Sequence, residues 1–150
     1  MLNEGDVAPY FKALDQNGKS IELNDFSNKK LILYFYPKDD TPGCTKEACN
    51  LRDNYSDLVK DNFEVVGVSA DDSKKHIKFI NKYNLPFSLI ADTEKTIIGA
   101  YDCWGLKKFM GREYEGILRK TFVIENNKIL KIFEKVKTTD HYQQILDALN

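Results

Sequence analysis

The sequence predicts an α/β domain in which helices flank a mixed central sheet. Three observations carry this. From Lys30 onward the hydrophobic period alternates between strand-like and helix-like segments. The strand-like segments are near-continuous apolar or β-branched runs, as expected of strands covered on both faces. The last two are separated only by an Asn-rich turn and so must pair antiparallel. Strand–helix–strand units require right-handed crossovers and a largely parallel sheet; the closing hairpin makes it mixed.

The elements follow in order. Tyr10 to Leu14 and Ser20 to Leu23 flank Asp15-Gln16-Asn17-Gly18 and read as an N-terminal β-hairpin. Lys30 to Tyr36 is a buried strand. From Cys44 to Val59, Ala48, Leu51, Tyr55, Leu58 and Val59 recur at helical spacing. Phe63 to Ser69 is a β-branched strand. Asp71-Asp72 is placed to cap a helix whose apolar stripe is Ile77, Ile80 and Tyr83. Between Leu85 and Gly116 the expectation is one short strand, one short helix and a long loop. Lys120 to Ile124 and Ile129 to Lys135 form a hairpin around Glu125-Asn126-Asn127-Lys128. Asp140 with Gln143 resembles a capping box opening a last helix, its inner face Tyr142, Ile145, Leu146 and Leu149. This order is that of the thioredoxin fold, preceded by a β-hairpin and carrying an insertion before its last hairpin.

Composition narrows the function. At 150 residues the chain suits one domain, 1–150, without repeats, low-complexity tracts or linkers. Lysine plus arginine (22) nearly cancels aspartate plus glutamate (23), so a net charge of −1 argues against nucleic acid or an anionic membrane as main partner. The longest apolar run, Leu31 to Tyr36, is far short of the roughly 18–20 residues of a membrane span. Met1 to Asp6 is acidic and has no apolar signal region, so the expected location is cytoplasmic.

Three cysteines, Cys44, Cys49 and Cys103, are odd in number, and a reducing compartment disfavours a structural disulfide framework. A zinc site is disfavoured by the lack of C-x-x-C and by the isolation of His76 and His141. The segment Pro37 to Cys49 leaves the C-terminal end of a buried strand and enters a helix, where open α/β sheets place their ligands. Thr41 and Pro42 suit the N-cap and first helical positions, which puts Cys44 in the first turn. Unpaired N–H groups and the helix dipole there favour thiolate, the nucleophilic form. Cys49 lies about 7.5 Å further along the axis, whereas a disulfide needs Cα atoms roughly 4.4–6.8 Å apart. Either the two never bond, or the first turns unwind when they do.

The stretch YFYPKDDTPGCTKEAC resembles the active-site segment of the peroxiredoxins, whose P-x-x-x-T-x-x-C signature is matched by Pro37, Thr41 and Cys44. The second cysteine five residues on is similar to the bacterioferritin comigratory protein (PrxQ) subfamily, and the likeness continues at Trp104-Gly105, Met110-Gly111 and Arg119 to Ile124. The resemblance implies a thiol peroxidase for hydrogen peroxide and organic hydroperoxides that needs no metal, haem or flavin. It implies that Cys44 attacks the peroxide and becomes a sulfenic acid, and that Cys49 resolves it as an intramolecular disulfide. Thr41 would hydrogen-bond the thiolate and the peroxide, Pro37 would shield the pocket, and Arg119 would stabilise the thiolate and polarise the peroxide. A thioredoxin-like dithiol would recycle the disulfide, and the chain would act as a monomer.

The arginines support looking at Arg119. The chain has 19 lysines but only Arg52, Arg112 and Arg119, so each arginine is suspect of a geometric task; for Arg52 and Arg112 the expectation is surface salt bridges. Cys103 matches no role in the subfamily and is either buried or available to pair with another chain. Two rivals stand beside the peroxidase: a thioredoxin-like disulfide exchanger, opposed by the absence of C-x-x-C, and a redox-controlled binding protein. Neither accounts for Pro37, Thr41 and Arg119 together.

Overall fold

In the structure, a computed structural model describing residues 1–150, the run Lys30–Phe35 becomes the middle strand of a five-stranded sheet. The chain enters through a hairpin, β1 (Lys12–Leu14) and β2 (Ser20–Glu22), and a single 3-10 turn over Leu23–Phe26. The central strand is β3; α1 (Pro42–Asp53) and α2 (Tyr55–Lys60) return the chain to β4 (Phe63–Ser69), and α3 (Ser73–Tyr83) to β5 (Ser88–Ala91). After α4 (Thr96–Ala100) come β6 (Trp104–Phe109) and β7 (Arg112–Ile117), then β8 (Lys120–Glu125), β9 (Lys128–Phe133) and α5 (His141–Leu149). The sheet order is β5-β4-β3-β8-β9, with β3, β4 and β5 parallel and β8 and β9 antiparallel to their neighbours. It is the thioredoxin fold with the expected hairpin in front and an insertion before the last hairpin.

Strand periodicity explains why β3 reads as unbroken apolar sequence. Leu31, Leu33 and Phe35 join one core with Phe11, Val66, Tyr101, Cys103 and Phe122. Ile32, Tyr34 and Tyr36 join another with Cys44, Leu51, Leu58, Phe79 and Ile145. Alternate side chains meet opposite layers, so every position must be apolar. Because β3, β4 and β5 step in one direction, two right-handed crossovers place α1, α2 and α3 on one face. The chain crosses to the other face through α4 before β8 enters on the far side of β3.

Several expected details are corrected. The single helical stripe from Cys44 to Val59 is two helices, broken at Asn54, whose side-chain amide donates to the Asn50 carbonyl (2.8 Å); Val59 is 44% exposed. The α3 cap at Asp72 is as expected, accepting from the Lys75 N–H (2.9 Å). Its inner face, however, is His76 and Phe79, while Ile77 is 40% exposed. Buried His76 finds two hydrogen-bond partners, so a polar residue takes the innermost position. The expected long loop contains the β6–β7 hairpin, turned by Met110 and Gly111, both at positive φ (52° and 79°). Its side chains are largely exposed on both faces, so no apolar alternation announced it. Asn126 and Asn127 do make the expected tight turn, again with both φ positive. Asp140 makes no side-chain cap; the first turn of α5 is instead capped from α1, the Asn50 side-chain oxygen accepting the Tyr142 N–H (2.8 Å).

Gly67 of β4 sits between Tyr34 and Leu89 on the neighbouring strands. A Cβ there would lie 2.7 Å from Leu89 Cδ2 and 2.9 Å from Tyr34 Cζ. Gly67→Ala is therefore expected to cost about 1–3 kcal/mol through overpacking. At roughly 2–4 °C of melting temperature per kcal/mol for a domain this size, a thermal melt reads it directly, and an unchanged melt refutes the contact.

Candidate active site

The loop from Pro37 to Asp40 leaves the C-terminal end of β3 and delivers the chain to α1. Thr41 holds an extended backbone (φ −100°, ψ 156°) at the N-cap, and Pro42 opens the helix, as its fixed φ and missing N–H favour. Cys44 is the third helical residue and is 1% exposed. The residue just before β8, Arg119, reaches across: its Nη2 donates to Cys44 Sγ (3.3 Å) and its Nη1 to Glu47 Oε1 (2.7 Å). Gly43 permits this approach, since a Cβ there would lie 3.3 Å from Arg119 Nη2. Arg119, which the resemblance placed at the thiol, thus joins it to a second group that sequence reasoning missed.

That group is Glu47, fully buried on α1 between the two cysteines. Burial raises its pKa to about 7, although the Arg119 charge and hydrogen bond pull it down. Its Oε2 has no hydrogen-bond partner and lies 3.8 Å from Nε2 of His141. The Gln144 amide is oriented by the Lys135 carbonyl and the Lys137 N–H, so its Oε1 accepts from His141 Nδ1 (2.8 Å). Burial, partly offset by Gln144, lowers the His141 pKa to about 4 and keeps the ring neutral. Nε2 is then an acceptor for the Thr121 hydroxyl (2.8 Å) and carries no proton for Glu47. The Tyr34 hydroxyl, also unpartnered, is pushed well above its ordinary pKa by burial and then by the Glu47 and Cys44 charges.

A second network shapes the loop from below. The Tyr36 hydroxyl donates to Asp39 (2.5 Å), whose other oxygen faces His76 Nδ1 (2.6 Å). His76 Nε2 donates to the Ile90 carbonyl (2.9 Å). Asp71 accepts from the Asp39 N–H (2.8 Å) and the Ser69 hydroxyl (2.7 Å). Asp39, Asp71 and His76 bring ligand-type atoms within 4.8 Å of one another. The cluster's hydrogen bonds run within it, to the Tyr36 and Ser69 hydroxyls and to the backbone, so it is a brace that fixes the loop. Spacing could not have revealed it, because its members come from β4, β5, α3 and the loops that follow β3 and β4.

The Thr41 hydroxyl donates to the Lys38 carbonyl (2.8 Å) and makes no bond to Cys44. Pro37 is half-buried at the end of β3. Cys49 is partly exposed on α1, and burial raises its pKa, followed by an opposing effect of Arg52. On an intact helix it cannot bond to Cys44; all three cysteines are thiols. Arg52 does pair with Asp53 (2.8 Å), but its Nη1 also donates to the Tyr83 carbonyl (2.7 Å), tying α1 to the end of α3. Arg112, at the hairpin tip, makes no ion pair, which corrects the surface-bridge expectation. From the same hairpin Lys107 brings a second cation near the site: burial and then Arg119 lower its pKa while Cys44 raises it. Cys103 is buried in the sheet core, its thiol donating weakly to the Tyr101 carbonyl (3.4 Å).

A thioredoxin-fold domain with a buried thiol at a helix N-terminus, held under a guanidinium, belongs to the class of thiol-dependent redox enzymes. Residues 5–132 match the model of the AhpC/TSA family. The chain is 43% identical over 146 residues to the peroxiredoxin Bcp of Bacillus subtilis, covering 97% of this chain and 93% of that one. It is 41% identical over 149 residues to the peroxiredoxin Bcp of Escherichia coli, covering 99% and 96%. Among solved structures, a cysteine-to-serine PrxQ variant from Xylella fastidiosa superposes with a TM-score of 0.92 at 30% identity, over 99% of this chain and 96% of that one. The chain therefore belongs to the AhpC/TSA family, among the Bcp/PrxQ peroxiredoxins, and is a thiol-dependent peroxidase.

The three thiols should differ sharply in reactivity. Burial pushes the Cys103 thiol up to about 12, so it is almost wholly protonated at neutral pH as well as shielded. With iodoacetamide at pH 7.5, native reduced protein should leave Cys103 unlabelled while urea-unfolded protein labels it. Labelling of Cys103 at the rate of a small free thiol in the native protein would contradict its burial.

Proposed function

We propose that Cys44 is the peroxidatic cysteine and Cys49 the resolving cysteine of a two-step peroxide reduction. The single observation that carries this is the 3.3 Å contact from Arg119 Nη2 to Cys44 Sγ at the first turn of α1. The Cys44 thiolate attacks one oxygen of the hydroperoxide; the O–O bond breaks, giving Cys44 sulfenic acid and an alkoxide or hydroxide that takes up a proton. Arg119 places positive charge where the attacking sulfur and the breaking bond share negative charge. The Thr41 hydroxyl proton is committed to the Lys38 carbonyl, so its lone pairs are oriented to accept from the peroxide O–H. Pro37 shields this pocket from water.

In the second step the Cys49 sulfur attacks the sulfenic sulfur of Cys44, water leaves, and a disulfide forms. The first turns of α1 unwind for this, since helical geometry keeps the two sulfurs apart. A thioredoxin-type dithiol then restores both thiols by exchange. Substrates are hydrogen peroxide and organic hydroperoxides; a Xanthomonas campestris bacterioferritin comigratory protein studied for alkyl peroxide reduction superposes at TM-score 0.85 and 30% identity. Residues 1–150 act as one domain, as a monomer, in the cytoplasm. One sheet shared by two cores supports the single domain, and no helix is long and apolar enough to cross a membrane.

One equivalent of hydrogen peroxide followed by tryptic peptide mapping tests the reading, because Lys46 separates the cysteines. A linked Cys44–Cys49 peptide pair, lost in Cys44→Ser, is expected; a Cys44 that reacts no faster than free cysteine rules the reading out. Arg119→Met should lower the second-order rate constant for Cys44 oxidation by about 10²–10³-fold. Arg119→Lys should restore only part of it, since an ammonium cannot hold Glu47 and Cys44 in one fixed fork. Stopped-flow Trp104 fluorescence or competition against a reference peroxidase provides the rate.

A further inference from the structure

Glu47 has no part in the two-step reaction just described, yet it is buried directly between the reacting cysteines. Helix packing encloses its carboxyl completely, and one oxygen is left without a partner. Each element packed against it contributes one titratable or charged group. Arg119, ahead of β8, bonds to Oε1 (2.7 Å). His141 of α5 stands with Nε2 3.8 Å from Oε2, beyond hydrogen-bond reach, its lone pair taken by the Thr121 hydroxyl. Tyr34 of β3 and Cys44 of α1 itself complete the set. With the carboxyl fully buried and no donor on Oε2, the neutral acid suits the site better than a carboxylate whose second oxygen would carry buried, unpaired charge. Arg119 is the only cation on the group, and Cys44 shares it.

This inference rests on the resolving step proposed above. We propose that Glu47 is a proton-linked positioning residue: buried, it aims Arg119 at Cys44 while α1 is helical, and it enters water and releases its proton when the helix opens for Cys49. Cys44 sulfenic acid and Cys49 thiol give the disulfide and water. Separately, the Glu47 carboxylic acid becomes carboxylate and a proton passes to solvent. The hydroperoxide is the only oxidant, and Glu47 changes charge but not oxidation state.

The direction follows from linkage. In the helical state burial holds the Glu47 pKa near 7; in the opened segment it returns to about 4.3, the ordinary glutamate value. A group with its pKa raised in the closed state favours that state fully below the open-state value. It loses that effect as pH rises through the closed-state value. Between about pH 4.3 and 7, rising pH therefore favours the opened, disulfide-bonded form.

Proton counting during oxidation tests this. Reduced wild type and Glu47→Gln receive one equivalent of hydrogen peroxide at pH 6 in weakly buffered solution with an indicator dye, and peptide mapping verifies the disulfide. Wild type should release close to one more proton per chain than Glu47→Gln, and the difference should vanish when Cys49 is serine in both backgrounds. Equal counts with the disulfide formed overturn the inference and leave the peroxidase reading intact. A difference that persists without Cys49 also overturns it, because release would not belong to opening. Failure of the disulfide to form overturns both. Should Glu47→Gln not fold, infrared difference spectra of wild type serve instead: a protonated-carboxyl band lost on oxidation supports the inference, and an unchanged band overturns it.

Discussion

The site is organised by one guanidinium with two obligations. Arg119 donates to Cys44 and Glu47 at once, and each partner constrains the other. A planar fork serves two acceptors on successive turns of one helix, which a point-charge ammonium cannot do. The contact requires α1 to begin where it does, with Thr41 and Pro42 setting its entry and Gly43 leaving room. It also requires β8 to lie beside β3, so the sheet order is part of the active site. Removing either partner leaves the other more exposed or uncompensated, and a buried carboxyl without its cation is costly.

Much of this was legible in the sequence because it is local. The buried strand, the loop ending in Thr41-Pro42, and Cys44 in the first turn all follow from neighbouring residues. Arg119 stood out only as one of three arginines among many lysines, and its place at the thiol came from the resemblance. The remainder is long-range and polar. Glu47 reads as an ordinary exposed helical glutamate until β8 and α5 close over it. His76 and His141 stand alone in sequence, yet each fills a buried position through partners on other elements. The β6–β7 hairpin was hidden because its strands are exposed on both faces and its turn puts Met110 at positive φ. The cap of α5 was misassigned for the same reason: Asn50 supplies it from 92 residues away.

Resolution of the sulfenic acid asks the helix to be firm in one state and absent in the other, and the way α1 is held meets both demands. Its rear half is tied by contacts that do not involve the cysteines. Asn50 caps α5, Arg52 grips the last turn of α3, and Leu51 is fully buried. The break at Asn54 isolates α2, with its own anchor Leu58. Opening can therefore stop before Asn50 and leave the core beneath it undisturbed.

The front half is held by quite different forces. Its intrinsic helix preference is low: Gly43, Cys44, Thr45 and Cys49 are all poor formers, and no acidic residue complements the dipole in the first turn. Ala48 buries only a methyl group. The principal buried groups are Cys44 and Glu47, and burying a carboxyl opposes folding unless its partners fully compensate. Here they do so only in part, since Oε2 has no partner. Opening this segment thus exposes little apolar surface and relieves a polar group of its desolvation. Apolar burial beyond Cys49 holds the fold, while polar contacts before it hold the site, and only the second set must be surrendered for the disulfide to form.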